Sequence, residues 1–168
     1  MWNEIQKIFR KNPKKLEVAR TILELGLCIS TDKKVFCGDI EIPYSKIAKA
    51  LNIDRRVVIS TVELILDHKK LKKIFTKIKP AGPSFMELAK QVEFEFGLVE
   101  ISAESETVGI IARVTDLIAK EGVSIRQIFA QDPELFPDPK LIIITEKPIT
   151  DITKKFLEIP GILSVSIF

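Results

Sequence analysis

From Gly97 to Phe168 the apolar residues fall into six short groups, spaced alternately as strands and as helices, and that order leaves few folds open. Val99, Ile101 and Ala103 share one face of a strand that begins near Gly97. Val108 to Lys120 puts Ile110, Ile111, Val114, Leu117 and Ile118 on the inner side of a helix, and Gly122 ends it. Ser124 to Gln131 reads as a second strand, Asp132 to Pro139 as a proline-punctuated loop, and Leu141 to Thr145 as a nearly all-apolar third strand. A helix from Ile149 to Glu158 and a strand from Leu163 to Phe168, joined at Pro160-Gly161, complete β-α-β-β-α-β. Two helices over one face of an antiparallel sheet satisfy this order.

The upstream part reads differently. Lys14 to Leu25 carries a helical stripe of Leu16, Val18, Ala19, Ile22, Leu23 and Leu25, with Gly26 where a helix-ending glycine belongs. Val35 to Ile42 is an extended segment before Pro43. Helices follow over Tyr44 to Leu51 and Arg55 to about Lys70, separated by Asn52, Ile53 and Asp54. Leu71 to Ile78 fits a fraying helix end or a short strand, and a strand after the helix end is favoured. Pro80-Ala81-Gly82-Pro83 breaks regular structure, and Ser84 can cap a short helix over Phe85 to Lys90.

Charge divides at the same place. Residues 1–80 hold 18 Lys and Arg against 9 Asp and Glu, whereas residues 81–168 hold 8 against 14. A basic half joined to an acidic half suggests that only the first meets a polyanion; the alternative is a segregation of charge without a partner. The expected class is α+β, with a mainly helical domain over 1–80, a linker and connecting helix over 81–96, and the βαββαβ domain over 97–168.

Several functional classes lose support. Cys28 and Cys37 do not match a zinc-site spacing, and one histidine, His68, leaves a thin inventory for a metal. Both cysteines read as ordinary residues of a reducing cytosol. Met1 to Arg10 lacks the apolar core of a signal peptide, and no stretch approaches the ~20 apolar residues of a membrane span, so the expected location is the cytoplasm, off the membrane. Neither a nucleophile–base pair nor a phosphate loop is visible, and His68 has no evident acid–base partner. The expectation is no enzyme, no cofactor and no metal.

The spacing of Ile47-Ala48, Leu51, Ile53 and Val58 resembles a helix-turn-helix of the winged-helix-like kind, in which a small residue lets the helices cross closely. Asn52 tolerates the left-handed turn conformation and Asp54 suits the N-cap of the second helix. The resemblance implies contact with double-stranded DNA: Arg55, Arg56, Ser60 and Thr61 toward base edges, Lys46 and Lys49 toward phosphates, and Lys69, Lys70, Lys72 and Lys73 as a wing. Val57 and Ile59 flank Val58, which leaves a dimer face as the alternative for this helix.

The segment Glu106-Thr107-Val108-Gly109-Ile110-Ile111, followed by Glu121-Gly122-Val123-Ser124-Ile125, resembles the signature of ACT domains, which have a ferredoxin-like fold. Glu106 stands where that family has Asp or Asn, Val108 replaces its proline, and Ser124 its asparagine. The resemblance implies a small-molecule site at Glu106, Thr107, Val108, Gly109 and Ile110, completed by Ser124, Ile125, Arg126 and Gln127 of a second copy in a homodimer. Unpaired N–H groups in the first turn of a helix independently suit a carboxylate. Gly109 either lets a ligand approach or lets the helix pack tightly on the sheet. Asp132 to Pro139, whose acids lack an EF-hand spacing, reads as a plain hairpin connection, with shading of the pocket or binding of a cation as the alternatives. Together the halves resemble archaeal regulators of amino-acid metabolism, which implies an allosteric transcription regulator with an amino acid as effector. The alternative is a stand-alone ligand-binding subunit that regulates a metabolic enzyme.

Overall fold

Trp2, Ile5 and Phe9 recur three and four residues apart, and in the computed structural model, which describes residues 1–91, 95–149 and 152–168, they are the buried stripe of a first helix, α1 (Trp2–Phe9). The sequence pattern suggests no element there, because charged residues leave a stripe only three residues long. The chain divides into two units, Met1–Gly82 and Pro83–Phe168.

In the first unit Pro13 opens α2 (Pro13–Glu24). The helix stops in a Schellman motif: Gly26 takes φ 63°, its N–H donates to the Leu23 carbonyl at 3.1 Å, and the Leu27 N–H donates to the Ile22 carbonyl at 2.9 Å. Three short antiparallel strands follow in the order β1 (Cys28–Ile29), β2 (Val35–Cys37), β3 (Ile40–Glu41). The extended segment Val35 to Ile42 is thus a hairpin that turns at Gly38-Asp39. Next come α3 (Tyr44–Ala50), α4 (Arg55–Asp67) and α5 (Lys69–Phe75). Val18, Ala19 and Ile22 of α2 and Ile47 and Ala48 of α3 are buried, and both helices pack against α4, which buries Val58, Val62 and Ile65.

The strand expected over Leu71 to Ile78 is a helix instead. His68 breaks α4 with an extended backbone, and its Nδ1 accepts the Leu71 N–H at 3.4 Å as a cap for α5. Leu71 and Phe75, four residues apart, are both buried. Leu71, Ile74, Phe75 and Ile78 follow helical spacing, and the lysines between them mimic alternation. The helix expected to run from Arg55 to about Lys70 therefore ends at Asp67.

The second unit opens with α6 (Met86–Ala89) and continues as β4 (Gly97–Ala103), α7 (Ile110–Lys120), β5 (Ile125–Ala130), β6 (Lys140–Thr145), α8 (Thr153–Leu157) and β7 (Ile162–Ile167). The strands form one antiparallel sheet in the order β5-β6-β4-β7. Ile110, Val114 and Ile118 of α7 and Phe156 of α8 bury against Val99, Ile101, Leu141 and Ile143 on one face. Ala89 of α6, with Phe85, Met86 and Phe96, covers Leu98, Ile142 and Ile144 on the other. Coverage of both faces is why β6 reads as an unbroken apolar run. Part of the helix expected over Ile149 to Glu158, at 150–151, lies outside the described residues; its described helical part is α8. The helix expected from Val108 starts at Ile110, because Gly109 is its N-cap. No helix among the described residues is long and apolar enough to cross a membrane.

Candidate functional site

After β4 the chain must turn back to start α7, and the turn is held by short-range bonds. The Thr107 N–H donates to the Glu104 carbonyl at 3.0 Å, and the Glu104 N–H donates to the Gly161 carbonyl at 2.8 Å. The Thr107 hydroxyl donates to the Glu104 carboxylate at 3.2 Å. Gly109 then takes φ 86°, a left-handed conformation that L side chains rarely adopt, and its carbonyl accepts the Arg113 N–H at 3.1 Å. A Cβ added at Gly109 would meet only Arg113 Nε, at 3.9 Å. Its backbone conformation therefore explains this glycine, and tight packing on the sheet does not.

A cavity of about 270 Å³ opens in front of this turn. Ile101, Ala103, Ile110 and Leu141 give it an apolar floor; Glu104, Ser105 and Thr107 form one rim, and Ala130, Gln131, Pro133 and Pro139 the opposite wall. The first-turn N–H groups of Ile110, Ile111 and Ala112 make no backbone hydrogen bond among the described residues and lie at the positive end of the helix dipole. All three residues line the cavity. Lys140 also lines it, but its side chain pairs on the other face of the sheet, with the Ser102 hydroxyl and with Asp138 at 2.6 Å. An apolar slot, unpaired N–H donors and a carboxylate at the rim suit a small zwitterion with an aliphatic body.

Of the residues expected at this site, Thr107, Gly109 and Ile110 line the cavity. Glu106 and Val108 do not: both are exposed, Val108 at 88%, and Glu104 is the acid at the rim. Ser124, Ile125, Arg126 and Gln127 enter β5 at its far end, with Arg126 about 13 Å along the strand from Ala130. They are engaged within their own unit. The Ser124 N–H donates to Glu146 Oε1 at 3.2 Å, and the Arg126 guanidinium lies 4.7 Å from the Phe96 ring centroid. The Gln127 side chain accepts the Phe85 N–H at 3.0 Å and donates to the Pro83 carbonyl at 2.6 Å. One chain does not bring these four residues to the cavity.

Sequence reasoning missed Glu104 and Gly161, and it offered the loop that carries Pro133 and Pro139 to the far wall only as the less favoured alternative. A Cβ at Gly161 would stand 2.6 Å from Thr107 Oγ1, so this glycine sets how closely the rim loop seats. Its one local signal is the Pro160-Gly161 pair, which reads as a plain turn.

In the first unit the turn between α3 and α4 is built as its residues suggest. Asn52 takes φ 52°, and Asp54 Oδ1 accepts the Arg56 N–H at 2.7 Å. Lys46, Lys49, Arg55 and Arg56 are exposed. Thr61 is fully buried, with its hydroxyl donating to the Val57 carbonyl at 2.6 Å, so it has no surface to offer a base edge. Ser60 is half-buried; its hydroxyl donates to the Val57 carbonyl at 3.2 Å and its own carbonyl accepts from Lys15. Lys69, Lys70, Lys72 and Lys73 form no wing: they sit on α5, beyond the C-terminal end of the 13-residue α4 and about 20 Å from its start. Lys70 pairs with Glu4 at 2.9 Å. Val57 and Ile59 are half-buried, which leaves α4 less apolar surface than its sequence suggests. No group of three His, Cys, Asp or Glu among the described residues is placed to hold a metal ion.

No protein-family model matches the chain, and no curated protein matches it. Among solved structures, the ACT domain of a GTP pyrophosphokinase of Chlorobium tepidum covers 44% of this chain and 96% of its own, at 18% identity and a TM-score of 0.35. A transcriptional regulatory protein of the AsnC family from Pyrococcus furiosus covers 99% of this chain and 85% of its own, at 10% identity and a TM-score of 0.26.

Proposed function

We propose that the chain is a cytoplasmic, ligand-responsive regulator and not an enzyme. Its second unit acts as an ACT-type, ferredoxin-like domain for an amino acid or related molecule, and its first unit as a helix-turn-helix domain for double-stranded DNA. The observation that carries this reading is the cavity at the start of α7, where an apolar floor meets the first-turn N–H groups of Ile110, Ile111 and Ala112 and the carboxylate of Glu104. A ligand carboxylate takes the N–H groups, its ammonium takes Glu104, and its side chain lies on Ile101, Ile110 and Leu141. The exposed cations Lys46, Lys49, Arg55 and Arg56 around a capped turn support the DNA half. β5 is an edge strand with Ile128 and Phe129 exposed, which supports a homodimer through this unit. In such a dimer, ligand binding changes the relative placement of two DNA-binding units and so the fit to two half-sites.

One pair of measurements tests the reading. A thermal-shift screen of amino acids should find at least one that stabilises the protein, with the shift reduced in Glu104→Gln. Duplex binding should weaken steeply as salt rises. No shift from any amino acid removes the ligand half, and no duplex binding at low salt removes the DNA half. Glu63 and Asp67 place acids further along α4, which favours the second reading, a subunit that docks on a metabolic enzyme, if duplex binding is absent.

A further inference from the structure

The first unit contains a cavity of about 210 Å³ bounded by the Lys33-Lys34 turn, Tyr44 and Ser45 at the start of α3, and Arg55 at the start of α4. We propose that it seats a phosphodiester group of the DNA backbone, with Arg55 as a phosphate clamp and not a reader of bases. This rests on the DNA-binding reading of the first unit and assigns a contact within it.

The charges around the cavity favour an anion. Its lining carries three cations, Lys33, Lys34 and Arg55, against one acid, Glu41. Glu41 is already committed to Lys34 Nζ at 2.8 Å, and Lys33 Nζ is satisfied by Glu63 at 3.0 Å. Arg55 makes no ion pair or side-chain hydrogen bond among the described residues. It thus leaves its guanidinium for a ligand oxygen, the partner this planar donor fork fits best.

The walls are fixed in advance. The Ser30 N–H donates to the Lys34 carbonyl at 2.8 Å, the Lys33 N–H to the Ser30 carbonyl at 3.1 Å, and the Lys34 N–H to the Ser30 hydroxyl at 3.1 Å. Lys33 holds a left-handed backbone at φ 64°. The Tyr44 hydroxyl donates to the Lys33 carbonyl, which ties α3 to this turn. Ser45 is exposed and supplies a second hydroxyl at the opening.

The position selects a duplex over a free anion. Tyr44, Ser45 and Arg55 come from both helices of the turn pair, so a group held here lies beside whatever groove α4 enters. Successive helical residues point about 100° apart, so Arg55 and Arg56 leave α4 in different directions. With Arg55 turned to the cavity, Arg56 is the residue left to read a base.

The test measures duplex affinity against salt for the wild-type chain, Arg55→Gln and Arg56→Gln, each on two unrelated duplexes. Arg55→Gln should reduce the slope of log K against log salt by about 0.9, the value of one phosphate contact, and weaken both duplexes alike. An unchanged slope in Arg55→Gln, or a loss confined to one duplex, overturns the assignment, as does a slope change in Arg56→Gln alone. Wild-type protein that binds no duplex at low salt fails differently, because it removes the reading on which the assignment rests. A second arm measures thermal stabilisation by inorganic phosphate over chloride at equal ionic strength. Stabilisation that Arg55→Gln abolishes, without duplex binding, means a free-phosphate site and overturns the duplex assignment. Arg55 is exposed and unpaired, so circular dichroism of Arg55→Gln should match the wild type.

Discussion

Replacing Gly161 by alanine tests how the rim of the cavity is held. Gly161 takes φ 90°, and placing an L residue in the left-handed region costs roughly 1–2 kcal/mol. The added Cβ would also stand 2.6 Å from Thr107 Oγ1, 2.7 Å from Cγ2 and 2.9 Å from Cβ. Because Cβ itself is among the clashing atoms, rotating the Thr107 side chain gives no relief, and the loop from Glu104 to Thr107 must move. That strains the bond from the Glu104 N–H to the Gly161 carbonyl, at 2.8 Å, whose loss costs about 1 kcal/mol. The expected destabilisation is about 2–4 kcal/mol, read by urea unfolding followed by far-UV circular dichroism. Fluorescence cannot report it, since the one tryptophan and one tyrosine, Trp2 and Tyr44, lie in the first unit. Thr107→Gly removes all three clashing atoms, so in that background Gly161→Ala should cost only the backbone strain. A double-mutant cycle should show a coupling of about 1–2 kcal/mol. Equal costs in both backgrounds would refute the steric reasoning.

Other changes probe the two units separately. Phe156 is fully buried against the sheet, and Phe156→Ala should cost about 3–5 kcal/mol in the same unfolding assay. Asp54→Ala removes the cap of α4 and should lower stability by about 1 kcal/mol, seen as a lower Tm by Trp2 fluorescence, whereas Asp54→Ser should recover most of it. The hydrogen bond from Lys70, and next its charge, hold the Glu4 carboxyl below its ordinary value of 4.5. A depressed folded-state value stabilises above pH 4.5 and loses that contribution as the pH falls through it. The wild type should therefore exceed Lys70→Gln slightly in stability near neutral pH and converge with it on acidification; a gap that widens toward acid contradicts the pairing.

The elements legible in the sequence are those whose apolar spacing carries the signal alone. α7 and β6 are read to within two residues, because Ile110, Val114 and Ile118 keep one helical face and Leu141 to Ile144 stay apolar throughout. α5 is misread because lysines at 72, 73 and 77 interrupt the helical set Leu71, Ile74, Phe75 and Ile78, and α1 is unread because its stripe is short. The far wall of the cavity depends on a non-local fact. The register of β5 on β6 pairs Ala130 with Leu141, and this pairing carries Pro133 and Pro139 to the edge of the floor made by Ile101 and Leu141. No local pattern states a strand register, so the loop from Asp132 to Pro139 reads as a plain connection.

The same geometry explains why the off-pattern residues of the ACT-like signature need not spoil the cavity. Val108 projects into solvent, and neither it nor Glu106 lines the wall, so a proline or a shorter acid at these positions would add no group to it. A ligand held as proposed would be met by main-chain N–H groups, and what that requires of the sequence is the backbone path that exposes them. Gly109 at φ 86° turns that path into α7, and Gly161 admits the loop that carries Glu104 and Thr107. Under that proposal, specificity depends on the few side chains that do face the cavity. Ile101, Ala103 and Leu141 set the depth of the floor, so an aliphatic ligand side chain is favoured there over a charged one, which would enter without a partner.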